Sequence, residues 1–274
     1  MSGSPAKQAS GAISRPAAGT VERWAWDYLH ADTLEYKFSP PAVPTEWEDA
    51  PPCRHVKQPS RPPPLDVSSG ADKTPRSLKH PRKRAQLIHA FLHHELQAAE
   101  LMCWAVLVFV DTPREFRRGL LGVCRDEIRH MGMYRRYMHD LGFSYGDFSV
   151  RDWFWERVPS CATALHFVAT LGIGLEGGNL DHTARFAVRF REAGDEVGAR
   201  LQERVGAEEV AHVRFALKWF RQWAGSDDFD VWRAQLPPPL SPILMRGRPL
   251  NVAERRRAGM SDSFVAALDA WVAQ

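Results

Sequence analysis

Residues 126–131, Asp-Glu-Ile-Arg-His-Met, and residues 208–213, Glu-Glu-Val-Ala-His-Val, decide how this chain folds. Each sets a Glu three residues before a His: Glu127 with His130, and Glu209 with His212. That spacing is close to one helical turn, so the two side chains of a pair share a helix face. The apolar residues around them keep the same period. Phe116, Leu120 and Val123 lead into the first pair and Tyr134 and Met138 follow it; Leu201 and Val205 lead into the second, and Ala216 and Phe220 follow. Both pairs therefore interrupt the stripe that an amphipathic helix turns towards its neighbours. Two further segments carry one carboxylate in the same place. Glu95 follows Ile88 and Leu92 and precedes Ala98, Ala99 and Met102, and Glu176 follows Val168, Ala169 and Gly172 and precedes Asn179 and Leu180.

Working outward, the periodicity predicts four long helices, at about 83–110, 114–140, 162–192 and 196–224. The breaks contain Asp111-Thr112-Pro113, the aromatic run from Gly142 to Trp155 with Pro159, and Gly194-Asp195. Pro113 suits a first helical turn and Asp195 an N-cap. Residues 1–20 are small and polar and are expected to be disordered. Residues 21–82 form a Pro-rich arm wrapping the bundle, with Trp24, Trp26 and Tyr28 in a short helix or an extended docking segment. Residues 83–224 are the bundle, and 225–274 a tail ending in a short helix from Ser261 to Val272. Strand signals are nearly absent, so the class is all-α.

Composition narrows the setting. Hydrophobic residues make up 44% of the 274, enough for a sizeable core. The 36 Lys and Arg against 33 Asp and Glu leave +3, too small a charge to define a partner. No apolar run reaches the roughly 18 residues of a membrane span, and the N-terminus lacks the apolar centre of a signal peptide. No membrane partner is expected, and the cytoplasm is the expected compartment. Cys53, Cys103, Cys124 and Cys161 form no C-x-x-C pair and are expected as reduced thiols.

Four carboxylates and two imidazoles in a dry core are costly unless cations lie between them. Two divalent ions supply +4 against the four carboxylates. Mixed oxygen and imidazole donors suit iron or manganese better than thiolate-seeking metals. The arrangement also repeats: Glu95 and Glu176 are 81 residues apart, and Glu127 with Glu209 and His130 with His212 are each 82 apart. One Glu from each of two helices plus a Glu-x-x-His from each of the other two is the ligand set of ferritin-like carboxylate-bridged di-iron and di-manganese proteins. The expected fold is a ferritin-like antiparallel four-helix bundle, with Glu95, Glu127, His130, Glu176, Glu209 and His212 as ligands of two iron ions, or of a Mn/Fe or Mn/Mn pair. Glu100 lies on the Leu96 and Cys103 side of the first helix and competes with Glu95 for the ligand position.

LIHAFLHHELQAAEL (87–101), RRGLLGVCRDEIRHMGMY (117–134) with LGFSYGDF (141–148), LEGGNLD (175–181) and GDEVGARLQERVGAEEVAHVRFALKWF (194–220) resemble a ferritin-like domain of unknown function related to the di-iron tRNA hydroxylases. The likeness covers roughly residues 21–224 and includes the Pro-rich lead-in RPPPLDV. It implies the same six ligands. One departure stands out: where that family has Glu-Ala-Arg-Gly-Leu-Asp, this chain has Glu176-Gly177-Gly178-Asn179-Leu180-Asp181 and lacks the Arg.

Other residues receive narrower readings. Asp126, Glu208 and Asp181 are candidates to hold the outer ring N–H of a ligand His, against surface positions for each. His93 and His94 flank the site, Tyr134 is read as core packing, and Lys79 to Arg84 as a solvated helix start, with an RNA or acidic partner as the rival. Gly172, Gly174, Gly177 and Gly178 crowd the third helix, which calls for close helix packing or a loosened, π-type turn. The leading functional expectation is an O₂-activating di-iron oxidoreductase, of hydroxylase type, with an unidentified small organic substrate and electron donor. The resemblance adds tRNA as a candidate partner. The rivals are iron handling or peroxide removal without an organic substrate, and a metal-stabilised structural or binding module.

Overall fold

A computed structural model of the chain describes residues 14–68 and 74–272. Among these there is no strand, only two isolated bridges, Thr20 with Glu46 and Val67 with Val150. Two short helices open the chain, α1 (Val21–Leu29) and α2 (Leu34–Phe38). Thr20 caps α1 by accepting from the Arg23 N–H, and Val21, Trp24, Ala25 and Tyr28 turn one apolar face inward. Of the stretch expected to be disordered, residues 1–13 lie outside the described residues. Residues 14–20 do not fit that expectation: the Ser14 carbonyl accepts from Arg54, and Thr20 caps the first helix.

Four long helical segments follow. The first is α3 (Pro81–Val108), whose Pro81 sits in the first turn and whose N-cap is His80. The second is α4 (Arg114–Asp140), with Pro113 at the N-cap rather than inside the first turn. The third runs through α5 (Ala164–Phe167), a π-helical stretch at Val168–Glu176 and α6 (Gly177–Glu192). The fourth is α7 (Glu196–Ala224), capped by Asp195 accepting from the Gly198 N–H and ended by Gly225 at φ +70°. Short turns make α3 with α4, and α6 with α7, packed hairpins; α4 also packs on α7. The tail adds α8 (Phe229–Arg233), α9 (Val252–Arg257) and α10 (Asp262–Ala270).

The third segment is both closely packed and π-distorted. A methyl group at Gly172 would lie 2.3 Å from the Ala216 Cβ, so only glycine lets α7 approach there. The Ala169 carbonyl within the π stretch accepts from the Trp232 indole at 2.9 Å. The tail thus satisfies a backbone group that the altered helical register exposes.

The apolar interior forms two clusters. One gathers Trp104, Phe116, Phe167, Phe220 and Trp232; the other Leu92, Leu96, Met131, Phe186 and Phe190. Glu95, Glu127, His130 and Glu209 sit where their helices pass from one cluster to the other, and Glu176 and His212 are flanked by residues of the first. The arm is fastened to the core by charge. Lys37, wholly buried, donates to Glu100 at 2.8 Å, as does Arg61.

Candidate metal centre

The six residues singled out by period meet in one buried layer, each at most 4% exposed. Their ligating atoms fall into two overlapping groups: Glu95, Glu127, His130 and Glu209, and Glu127, Glu176, Glu209 and His212. All atoms of a group lie within 4.8 Å of one another, a spacing that could hold a metal ion. Glu127 and Glu209 belong to both groups. Glu95 with His130 completes one side, and Glu176 with His212 the other.

Both imidazoles point Nδ1 inward. His130 Nδ1 lies 3.2 Å from Glu127 Oε2, and His212 Nδ1 lies 2.8 Å from Glu209 Oε2. Their outer Nε2 atoms are held across the helix pair. Glu208 of α7 takes His130 of α4 at 2.8 Å, and Asp126 of α4 takes His212 of α7 at 3.4 Å. Each carboxylate immediately before one Glu-x-x-His thus serves the histidine of the other. This crossed pairing gives each Nε2 proton a carboxylate partner and turns Nδ1 into the layer, where it would face an ion in place of its own proton. Asp181, the third candidate for that role, does something else. It is buried and forms a bidentate pair with Arg255 of α9, at 3.0 and 2.7 Å, while accepting from the backbone of Gly247 and Asn251.

The charges are unbalanced without a cation. Burial, then the charge of Glu127, raises the Glu95 carboxyl well above its usual range. Burial, then Glu209 and Glu127, does the same for Glu176. Burial opposes ionisation of Glu127 too, yet His212 and His130 outweigh it and hold that carboxyl well below the usual range. Burial likewise opposes charging of His130 and His212, and the surrounding carboxylates overcome it and raise both. Protons therefore occupy the layer where cations would sit. Two oxygens stay unsatisfied even so: Glu176 Oε1 and Glu127 Oε1 are buried without a hydrogen bond. The latter is 3.0 Å from His212 Nδ1, but the single inward N–H there is directed at Glu209. Orphaned carboxylate oxygens facing inward imidazoles fit a site for hard or borderline cations.

The Glu95 and Glu100 alternatives separate cleanly. Glu100 faces away from the layer, and its oxygens accept from Lys37, Arg61 and the Trp155 indole, the last at 3.1 Å. His93 is likewise engaged, bonding Tyr145 at 2.6 Å and Asp152 at 2.9 Å, and it joins neither ligand group. Sequence reasoning missed Asn179, whose amide donates to Glu209 Oε1 at 3.2 Å. Its place three residues after Glu176, on the same face, was the available signal. The position of the absent Arg is also explained. A side chain at Gly178 would meet the Met245 backbone at 3.3 Å, and Arg255 approaches within 3.4 Å of a Cβ placed on Gly177. The tail occupies that space and brings its own guanidinium to Asp181. Cys103 and Cys124 are buried free thiols 3.7 Å apart and Cys161 is also buried, whereas Cys53 is exposed. The 79–84 stretch starts α3, with Lys83 bonded to Gln86 and Arg84 paired with Asp195 at 3.1 Å.

A cavity of about 410 Å³ opens beside the layer and reaches Glu95 and Glu176. No helix is long and apolar enough to cross a membrane among the described residues. Comparison with known proteins finds a relative from Haemophilus influenzae, described as an uncharacterized protein. It is 25% identical over 166 residues, 58% of this chain and 58% of the relative, so the match spans less than two thirds of either. No solved structure matches the chain. The family described as "Protein of unknown function (DUF455)" matches residues 20–266, and with nearly the whole chain so aligned, this protein belongs to that family.

Proposed function

We propose that the chain is a ferritin-like dinuclear metal protein that holds two iron ions and uses O₂ to oxidise a small organic molecule. The observation that carries this reading is the sharing of Glu127 and Glu209 by two ligand groups, next to a cavity that reaches Glu95 and Glu176. Glu127 and Glu209, common to both groups, would hold the ions together with Glu95 and His130 on one side and Glu176 and His212 on the other. Iron, when bound there, supplies the redox chemistry with O₂ that no side chain of this set can perform.

The remaining work belongs to the chain. Glu208 and Asp126 orient the two imidazoles and keep their outer nitrogens protonated. The apolar clusters around the layer limit its contact with bulk water, which strengthens the charge interactions within it. The cavity leaves the flank of the layer at Glu95 and Glu176 open to a second reactant.

Elemental analysis of protein purified without oxygen tests the metal reading. About two iron or manganese ions per chain are expected. One zinc per chain, unaltered by iron supply during growth, overturns it. Oxygen uptake that rises with an added organic compound supports the oxidase or hydroxylase reading. Rapid iron oxidation indifferent to every such compound favours iron handling instead.

A further inference from the structure

The cavity at Glu95 and Glu176 has a composition that selects its occupant. Its volume, about 410 Å³, is in the range of sites that enclose a small organic ligand. Phe91, Phe148, Trp153 and Phe154 line it, and the His94 ring lies flat on Phe154, with centroids 5.0 Å apart and planes 18° apart. Four imidazoles face the space: His89, His93, His94 and His182. Two are spent. His89 accepts from the Gly146 N–H at 2.9 Å, and both nitrogens of His93 are bonded. His94 and His182 have no hydrogen-bond partner among the described residues. Burial, then the nearby Arg185, holds His182 down to about 4, so it is neutral at pH 7. A neutral imidazole presents one donor and one acceptor in the plane of its ring.

The same wall rejects two other ligand classes. Arg151 is the one Lys or Arg lining the cavity among the described residues, and it is already paired with Glu156 at 2.8 Å. With Glu95 and Glu176 at the inner end, an anion finds no free counter-charge among the described residues of the wall. A purely aliphatic molecule would bury the ring nitrogens of His94 and His182 without partners, at a cost for each.

We propose that this cavity binds an uncharged, flat ring compound carrying a hydrogen-bond donor and an acceptor on its edge, its face against the aromatic wall and its edge at His94 and His182. The proposal rests on the reading of the cavity as the reactant chamber of the metal layer. His94 and His182 act as specificity-determining residues, since aromatic contact alone would accept any flat ring.

The test uses 2-pyridone as the probe, with toluene (flat, no edge groups), δ-valerolactam (the same edge, not aromatic) and benzoate (flat, anionic) as comparisons. Binding is measured by calorimetry on metal-loaded and metal-free protein, so that direct coordination does not decide the result, and metal is counted on the same samples. 2-Pyridone is expected to bind more tightly than all three. His94→Leu and His182→Leu should each weaken it by about five- to tenfold, the scale of one buried hydrogen bond, and leave toluene unchanged or improved. His182→Gln, which keeps a donor and an acceptor, should recover most of the loss. Toluene or benzoate binding as well as 2-pyridone, or Leu variants that bind 2-pyridone as the unaltered chain does, overturns the proposal. Histidine-dependent binding to a chain that takes up no metal upholds this proposal while removing the dinuclear reading. Two metals per chain with no dependence on His94 or His182 does the reverse.

Discussion

Glu95→Gln and Glu100→Gln, five residues apart on α3, should have opposite signatures. Glu100 is fully buried and accepts from Lys37 at 2.8 Å, Arg61 at 2.8 Å and the Trp155 indole at 3.1 Å. Removing one partner of a buried ion pair typically costs about 3–5 kcal/mol, because the other charge is left uncompensated. Here part of that charge keeps company. Lys37 retains the Tyr28 and Leu29 carbonyls, and Arg61 retains Asp152. The cost should fall at the lower end, about 3 kcal/mol, or roughly 6–12 °C in melting temperature for a chain of this size. It should be the same with and without metal, and metal content should not change. Glu95 behaves differently. Burial already favours its protonated form in the metal-free chain, and glutamine imitates that form in shape and charge. Glu95→Gln should therefore shift the metal-free melting temperature by no more than the equivalent of about 1 kcal/mol, within the ordinary range for a conservative substitution. With metal at a hundredfold excess over its dissociation constant, the unaltered chain gains about 2.7 kcal/mol per site, and the variant should lose the gain from at least one site. Melting curves in chelator and in anaerobic Fe(II), with metal counted on each sample, read both effects. The reasoning fails if Glu95→Gln destabilises the metal-free chain as much as Glu100→Gln, or if Glu100→Gln folds but no longer takes up metal.

Acidity should act in opposite directions on the two forms. Glu95, Glu176, His130 and His212 all have raised values in the metal-free fold, so the folded chain holds protons that the unfolded chain releases. Stability from these groups is complete below their unfolded values, near 4.5 for Glu and 6.5 for His, and is lost as pH rises through the folded ones. Their share of the metal-free stability should therefore shrink between pH 5 and 8, against the opposite contribution of His89, His93, His94 and His182, which burial lowers, while metal affinity rises because ions displace those protons. The gap in metal-free melting temperature between the unaltered chain and a His130→Gln, His212→Gln double variant isolates that share, and a gap that widens as pH rises contradicts the assignment. Glu208→Gln and Asp126→Asn should each weaken metal binding by about 10–100-fold, with Glu208 the more damaging since its contact to His130 is the shorter, 2.8 against 3.4 Å. Competition with a chelator of known affinity measures both, and equal affinity in all three proteins refutes the crossed support. Gly172→Ala should cost about 1–3 kcal/mol by forcing a methyl group 2.3 Å from Ala216. Gly122→Ala on α4, where nothing lies within 4 Å, should instead stabilise by up to about 1 kcal/mol; denaturant melts showing both changes with one sign would contradict the packing described.

Much of the candidate site was legible because a helix writes its buried face into local spacing. The Glu-x-x-His words and the two single carboxylates all interrupt apolar stripes, and the structure brings those six residues into one layer. The outer partners of the histidines were only half legible. Asp126 and Glu208 neighbour the pairs in sequence, but each serves the histidine of the other helix, and Asp181 belongs to a different pair altogether. Period assigns a face and says nothing of which residue on a neighbouring helix stands opposite.

The sequence by itself determined the helical class, the four long spans and the six positions that face inward, since hydrogen bonding and apolar period within a helix involve residues three and four apart. Only the tertiary structure decided between Glu95 and Glu100. Both lie on α3 amid apolar neighbours, and what separates them is Lys37, 63 residues away, and Arg61, 39 residues away. The cavity and its unspent imidazoles also come from the fold alone, because His94 of α3 and His182 of α6 line one space. So does the guanidinium at Asp181, which arrives from α9, 74 residues along the chain. Such pairings depend on how helices pack and on where the arm and tail close over them, and burial is what gives each of those distant charges its partner.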